Sequence, residues 1–71
     1  MRDPFLIGLG LRISDQRKNM SLSQSALSEN SGIDRTYLSG VENGKRNISI
    51  LGLRKISVAL RMPLDELLYG V

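Results

Sequence analysis

Apolar residues recur along this chain at intervals of three and four positions, the spacing of helices with one buried face. Leu6, Leu9 and Ile13 share a face. With Asp3 as N-cap and Pro4 at the first helical position, they predict a helix running to about Lys18. Ile7 and Leu11 fall on its other face, open either to a partner or to solvent. Gly8 and Gly10 weaken this helix by roughly 1 kcal/mol each against Ala, which points to a close backbone approach or a frayed first turn. Leu27, Ile33, Leu38 and Val41 form the next inward set, split between two short helices. Ser23 caps the first, which runs through Asn30, and Gly32 supplies the left-handed residue at its end. Asp34 caps the second, which closes at Asn43 and Gly44. Asn47 or Ser49 should cap a fourth helix whose Leu53, Ile56 and Leu60 face the core, with Leu51 and Val58 on the opposite side beside Arg54 and Lys55. Met62 and Pro63 lead into a last helix with Leu64, Leu67 and Leu68, and Asp65 and Glu66 sit in its first turn as the helix dipole favours. The expectation is an all-α, compact five-helix domain covering residues 1–71, with a helix-turn-helix at about 23–43 and a dimerisation helix at about 63–69.

The pair of helices within SQSALSENSGIDRTYLSGVENGKRN organises the rest. Helices this short are marginal in water and must be held by packing. Their inward residues leave Arg35, Thr36, Ser39, Asn43, Lys45 and Arg46 facing out, a polar to basic surface of the kind needed to read a major groove. The plainer alternative is a helical hairpin with a solvated face.

Charge favours the first reading. All ten basic side chains lie within residues 1–61, and the two charges beyond, Asp65 and Glu66, are acidic. The net charge of +3 alone could be solubilising charge, but its distribution places the positive excess with the motif. The chain has no Cys and no His. Disulfides and thiolate metal sites are therefore excluded, a zinc site would need carboxylates alone, and the usual nucleophilic triads lack their base. The seven acids form no recognisable catalytic pair, and no glycine loop for phosphates is present. No enzyme, cofactor or small-molecule ligand is expected. Residues 5–11 are too short and glycine-broken for an export signal, and no stretch could span a membrane, so a cytoplasmic location is expected.

The motif residues resemble the lambda-repressor-like helix-turn-helix family, which includes phage repressors and Cro proteins. Gln24, Ser28, Gly32, Ile33, the run Tyr37-Leu38-Ser39 and the stretch Val41-Glu42-Asn43-Gly44-Lys45-Arg46 carry the likeness, which extends without gaps from about Leu9 to Leu68. The recognition segment on so short a chain is most similar to controller proteins of restriction-modification systems, small dimeric regulators of their own gene and the endonuclease gene. Three positions depart from the family. Gln16 replaces a leucine, and Ser21 and Arg61 replace glycines; a left-handed backbone at residue 61 would cost something on the order of 1 kcal/mol.

The resemblance and the side-chain chemistry together imply roles. Arg35 is the first choice for base reading, since its planar fork matches guanine O6 and N7, with Thr36 and Ser39 as further base contacts. Gly40 allows close approach but has no side chain to read with. Gln24 at a helix N-terminus is expected on the DNA backbone, with Arg17, Lys45, Arg46 and Asn47. Lys18 is a weaker candidate than Arg17, and Arg12 reads as part of a solvated face. Tyr37 is open to both core packing and a phosphate. Glu42, an acid in this segment, is expected to bond within the protein to an arginine. A domain of this size buries only about 60% of its unfolded surface, so dimerisation would help. Leu51, Val58, Leu64, Leu67 and Leu68 are the expected two-fold interface. The function implied is a homodimeric, sequence-specific regulator on palindromic double-stranded operator DNA, with RNA polymerase as a further partner if it activates. A phage-type repressor of another operon and a helical protein-interaction module are the alternatives.

Overall fold

The computed structural model describes residues 3–71 and comprises five helices: α1 (Pro4–Asn19), α2 (Gln24–Ser31), α3 (Arg35–Glu42), α4 (Ile50–Ala59) and α5 (Leu64–Leu67). The first four begin where a short polar side chain accepts a first-turn N–H that has no partner in its own helix. Asp3 accepts from Phe5 at 2.9 Å, Ser23 from Ala26 at 3.0 Å, Asp34 from Tyr37 at 3.1 Å and Ser49 from Gly52 at 3.0 Å. Of the two residues expected to cap α4, Ser49 does so.

Three helices end by one backbone device. The N–H groups of Leu22, Lys45 and Met62 donate to the carbonyls of Arg17, Gly40 and Ser57 at 3.0, 2.9 and 3.0 Å. This closure needs a left-handed residue just before the donor. Those residues are Ser21 at φ 58°, Gly44 at φ 71° and Arg61 at φ 53°. The two departures from glycine in the sequence are therefore both left-handed.

The core gathers Leu9 and Ile13 of α1, Leu27 of α2, Leu38 and Val41 of α3, Leu53 and Ile56 of α4, Leu60, and Leu67 of α5. Helix α1 packs on α3 and α5, while α2 packs on α3 and α4. Gly10 is where α1 meets the end of α3. A methyl group there would lie 2.5 Å from the carbonyl oxygens of Val41 and Glu42, so close approach, not fraying, explains the glycine. Ile7 is half-buried, with its backbone against Gly44, whereas Leu11 is exposed.

The structure departs from two expectations of the sequence. Leu67 is a core residue with no exposed surface, so it is not available to a dimer interface as its spacing implied. Leu64 and Leu68 flank it half-buried against the same core, and Val71 joins them. One core thus absorbs more of the final leucines than residue spacing predicted, because α5 is held across its end by α1. Arg12 does this holding. Its guanidinium donates to the carbonyls of Glu66 at 2.8 Å and Tyr69 at 2.7 Å, so it is a clasp on α5, not part of a solvated face. Gln16, in the place of a leucine, donates its amide N–H to the Leu60 carbonyl at 3.0 Å and so ties α1 to the end of α4.

Candidate nucleic-acid interface

The angle between α2 and α3 is set by side chains at their joint. The Ser31 hydroxyl donates back to the Leu27 carbonyl at 2.7 Å and accepts the Ile33 N–H at 3.3 Å. The Ser28 hydroxyl donates to the Ile33 carbonyl, which explains a small residue in mid-helix. Gly32 turns the chain at φ 73°, and Ile33 drops against the core. Asp34 then restarts the helix. These contacts account for the buried polar groups of a sharp turn, which would otherwise be costly.

Beyond the joint, Gln24 of α2 and Arg35, Thr36 and Ser39 of α3 line one shallow, open cleft of about 290 Å³. Arg35 and Thr36 are exposed, while Gln24 and Ser39 are half-buried. The cleft thus has a cationic fork, two hydroxyls and an amide at one surface, next to the N-terminus of α2. That set can meet base edges and phosphate oxygens together.

Behind it lies a charged network. Arg17 donates to Glu42 twice, from Nε at 2.8 Å and from Nη2 at 2.9 Å, and donates from Nη1 to the Leu22 carbonyl at 2.9 Å. Gln24 adds its amide N–H to the same Glu42 carboxylate at 3.1 Å. The ion pair is nearly closed to solvent, with side-chain exposures of 11% for Arg17 and 5% for Glu42. A paired Arg–carboxylate fork of this geometry fixes orientation as well as charge. Glu42 therefore bonds within the protein to an arginine, as its awkward place in a DNA-facing segment implied. The arginine is Arg17, whose expected role on phosphates gives way to this internal one. Its side chain already has a carboxylate and a carbonyl as partners and little surface left. Nothing in local sequence pairs these residues, because they lie 25 positions apart.

The loop after α3 is bound to that helix. The Tyr37 hydroxyl donates to the Asn47 carbonyl, and the Arg46 guanidinium lies over the Tyr37 ring, 5.8 Å from its centroid. Lys45, Arg46 and Asn47 are exposed. Tyr37 is half-buried against the core, so its ring serves both the interior and the loop. Of the residues expected on DNA, the structure brings Gln24, Arg35, Thr36 and Ser39 together, sets Lys45, Arg46 and Asn47 in the adjoining loop, and withdraws Arg17. Gly40 allows a close approach, as its lack of a side chain implied, and what approaches it is Arg46, which local sequence does not reveal because it reaches that place only once the loop has folded back. Among the described residues no cluster of acids forms a metal site, and no helix is long and apolar enough to cross a membrane.

Comparison with known proteins agrees with this geometry. A helix-turn-helix family model matches residues 13–67. The control protein C.MunI of a Mycoplasma species is 44% identical over 62 residues, covering 86% of this chain and 84% of that one. The structure resembles the restriction-modification controller protein C.AhdI from Aeromonas hydrophila with a TM-score of 0.85 at 40% identity, over 87% of this chain and 94% of that one. It also resembles the controller protein C.Esp1396I, solved as a tetramer with its natural 35 base-pair operator, with a TM-score of 0.85 at 29% identity, over 92% and 86% of the two chains. The five helices, the capped turn and these matches agree: the chain belongs to the helix-turn-helix family of the Cro and repressor type, with restriction-modification controller proteins among its relatives.

Proposed function

We propose that this protein is a sequence-specific regulator of transcription that binds double-stranded operator DNA as a homodimer, in the manner of a restriction-modification controller acting on its own gene and the endonuclease gene. The observation that carries the reading is the convergence of Gln24, Arg35, Thr36 and Ser39 on one open cleft along α3. Arg35 reads a base, Thr36 and Ser39 add short contacts, and Gln24, Lys45, Arg46 and Asn47 hold the backbone. The operator complex of C.Esp1396I and the likeness to C.MunI support the same assignment.

A two-fold dimer suits the duplex. Equivalent recognition helices reading one face of DNA must lie about one helical turn apart, roughly 34 Å. Such a pair demands an approximately palindromic site. Leu51 and Val58 on α4 are 62% and 71% exposed, and we assign them, with the uncovered parts of Leu64 and Leu68, to the contact. The acids Asp65 and Glu66 on α5 are complementary to Arg54 and Lys55 on α4 for an isologous rim.

The test is a gel-shift titration against DNA just upstream of the protein's own start codon, at two salt concentrations with random competitor. A discrete, competitor-resistant shift that weakens with salt is expected, each neutralised phosphate steepening log K against log salt by about 0.9. Arg35→Ala should cost about 1 to 3 kcal/mol on the operator and relax preference at one base pair. Equal losses on operator and random DNA would remove Arg35 from base reading. A shift abolished equally by random DNA would leave the helical protein-interaction reading in its place.

A further inference from the structure

Gly40 stands on α3 between Ser39 and Val41, one residue beyond the cleft, with no side chain of its own to contact DNA. Its surroundings give it another use. A methyl group at residue 40 would lie 2.5 Å from Cγ of Arg46, 3.6 Å from its Cβ and 3.5 Å from its Nε. The stem of Arg46 therefore lies in the gap that the missing side chain leaves. From there the guanidinium reaches over the Tyr37 ring, 5.8 Å from the centroid.

The backbone on either side of Arg46 is tied to the same helix. The Lys45 N–H donates to the Gly40 carbonyl at 2.9 Å, and the Tyr37 hydroxyl donates to the Asn47 carbonyl. Arg46 is thus held at its neighbours, its stem and its head, yet it remains exposed. A long cationic side chain loses rotamer freedom when it engages a phosphate, and one already ordered loses less. A charge fixed relative to Arg35, Thr36 and Ser39 also sets where the helix lies in the groove, because phosphate contacts fix register while bases specify.

Building on the DNA-binding reading above, we propose that Gly40 is a specificity-determining position, because the gap it leaves seats Arg46 on α3 and so sets the register in which the cleft residues meet the bases. The role differs from supplying charge. An unseated Arg46 still attracts DNA of any sequence but no longer favours one alignment.

Fluorescence anisotropy on operator and random duplexes across a salt series separates the two, using the parent chain, Gly40→Ala, Arg46→Ala and the double variant. Gly40→Ala removes no charge, so its salt slope matches the parent's while the ratio of operator to random affinity falls roughly two- to fivefold, the scale of one exposed cation–π contact. Arg46→Ala lowers affinity for both duplexes and reduces the slope by about 0.9 for each phosphate that the side chain no longer neutralises. The double variant is expected to equal Arg46→Ala alone, since an empty seat has nothing to position. Alanine is the better helix former, so α3 is not weakened, and far-UV circular dichroism with a thermal midpoint no lower than the parent's checks this. A full operator-to-random ratio in Gly40→Ala, or a double variant weaker than Arg46→Ala, overturns the proposal. If Arg46→Ala changes neither affinity nor slope while Arg35→Ala still weakens operator binding, the seat is irrelevant to DNA and the proposal falls, although the regulator reading stands. Absence of salt-dependent binding by the parent chain would end that reading itself.

Discussion

Arg17 and Arg46 both contact α3 and both had the same expected role on DNA phosphates, but the fold assigns them differently. Arg17 reaches α3 from α1 and is locked by two bonds to the Glu42 carboxylate, almost shut off from solvent. Arg46 arrives from the following loop, rests over Tyr37 and stays exposed. The difference lies in the partner and in the solvent. A carboxylate in a nearly dry site engages the whole guanidinium fork, whereas an aromatic face orients the head and leaves its N–H groups to meet other acceptors. An arginine near a recognition helix is therefore assigned by the side of the helix it packs on, not by its distance in sequence from the motif.

The largest expected effect tests the buried half of this comparison. Arg17→Ala leaves Glu42 buried and unpaired, which costs about 3 to 5 kcal/mol. A domain of this length is held by only about 4 to 10 kcal/mol, so the variant should lose at least about 12 °C of thermal midpoint or fail to fold. Arg46→Ala, by contrast, gives up only an exposed cation–π contact of about 0.5 to 1 kcal/mol, so its midpoint should fall by no more than about 8 °C while DNA affinity is lost. Replacing both partners together, Arg17→Met with Glu42→Leu, should recover much of the lost stability, because no charge is then stranded. Thermal denaturation of the parent and these three variants measures this. A stable Arg17→Ala that binds DNA more weakly would return Arg17 to the phosphates and erase the distinction.

The same contrast marks what was legible in the sequence. Helix starts and the turn of the motif could be read because their chemistry is local. Ser23, Asp34 and Ser49 each bond an N–H three residues ahead, and Asp3 one two ahead. Cleft residues Gln24, Arg35, Thr36 and Ser39 were legible as an outward face because three- and four-residue spacing dictates it. Arg17, Arg12 and Leu67 were misjudged because their partners are remote. Arg17 meets Glu42 25 residues on, and Arg12 meets the Tyr69 carbonyl 57 residues on. Spacing tells which face of a helix a residue occupies, but not which other helix covers that face. Gly40 belongs with these, since its use depends on a loop that returns over it.

Arg12 lies between Arg17 and Arg46 in burial and in the partners it holds. Among the described residues it donates only to carbonyls at the end of α5, where a cation also suits the negative helix terminus, and it is half-buried. Arg12→Ala strands no buried charge, so about 1 kcal/mol is expected to be lost, lowering the midpoint by roughly 4 to 8 °C. Amide exchange should quicken over residues 64–71 and stay slow in α2 and α3. Uniform acceleration through the chain would show that Arg12 supports the whole fold as Arg17 does.

The smallest effect concerns an arginine placed by its backbone. Arg61 is exposed and left-handed at φ 53°, in the same closure that Gly44 makes at the end of α3. A side chain in that conformation costs about 1 to 2 kcal/mol, and glycine would relieve it. Glycine also loses about 0.5 to 1 kcal/mol more conformational freedom on folding, so the net gain from Arg61→Gly should be roughly 0.5 kcal/mol. The thermal midpoint should rise by about 2 to 4 °C, because no core residue and no ion pair is disturbed. A fall instead would mean that the side chain holds something worth more than its strain, and Arg61 would then join Arg17 among the arginines that build the fold. If the midpoint rises and operator affinity is also unchanged, both the fold and the DNA contacts are independent of this side chain. The cationic surface that matters for binding would then exclude Arg61.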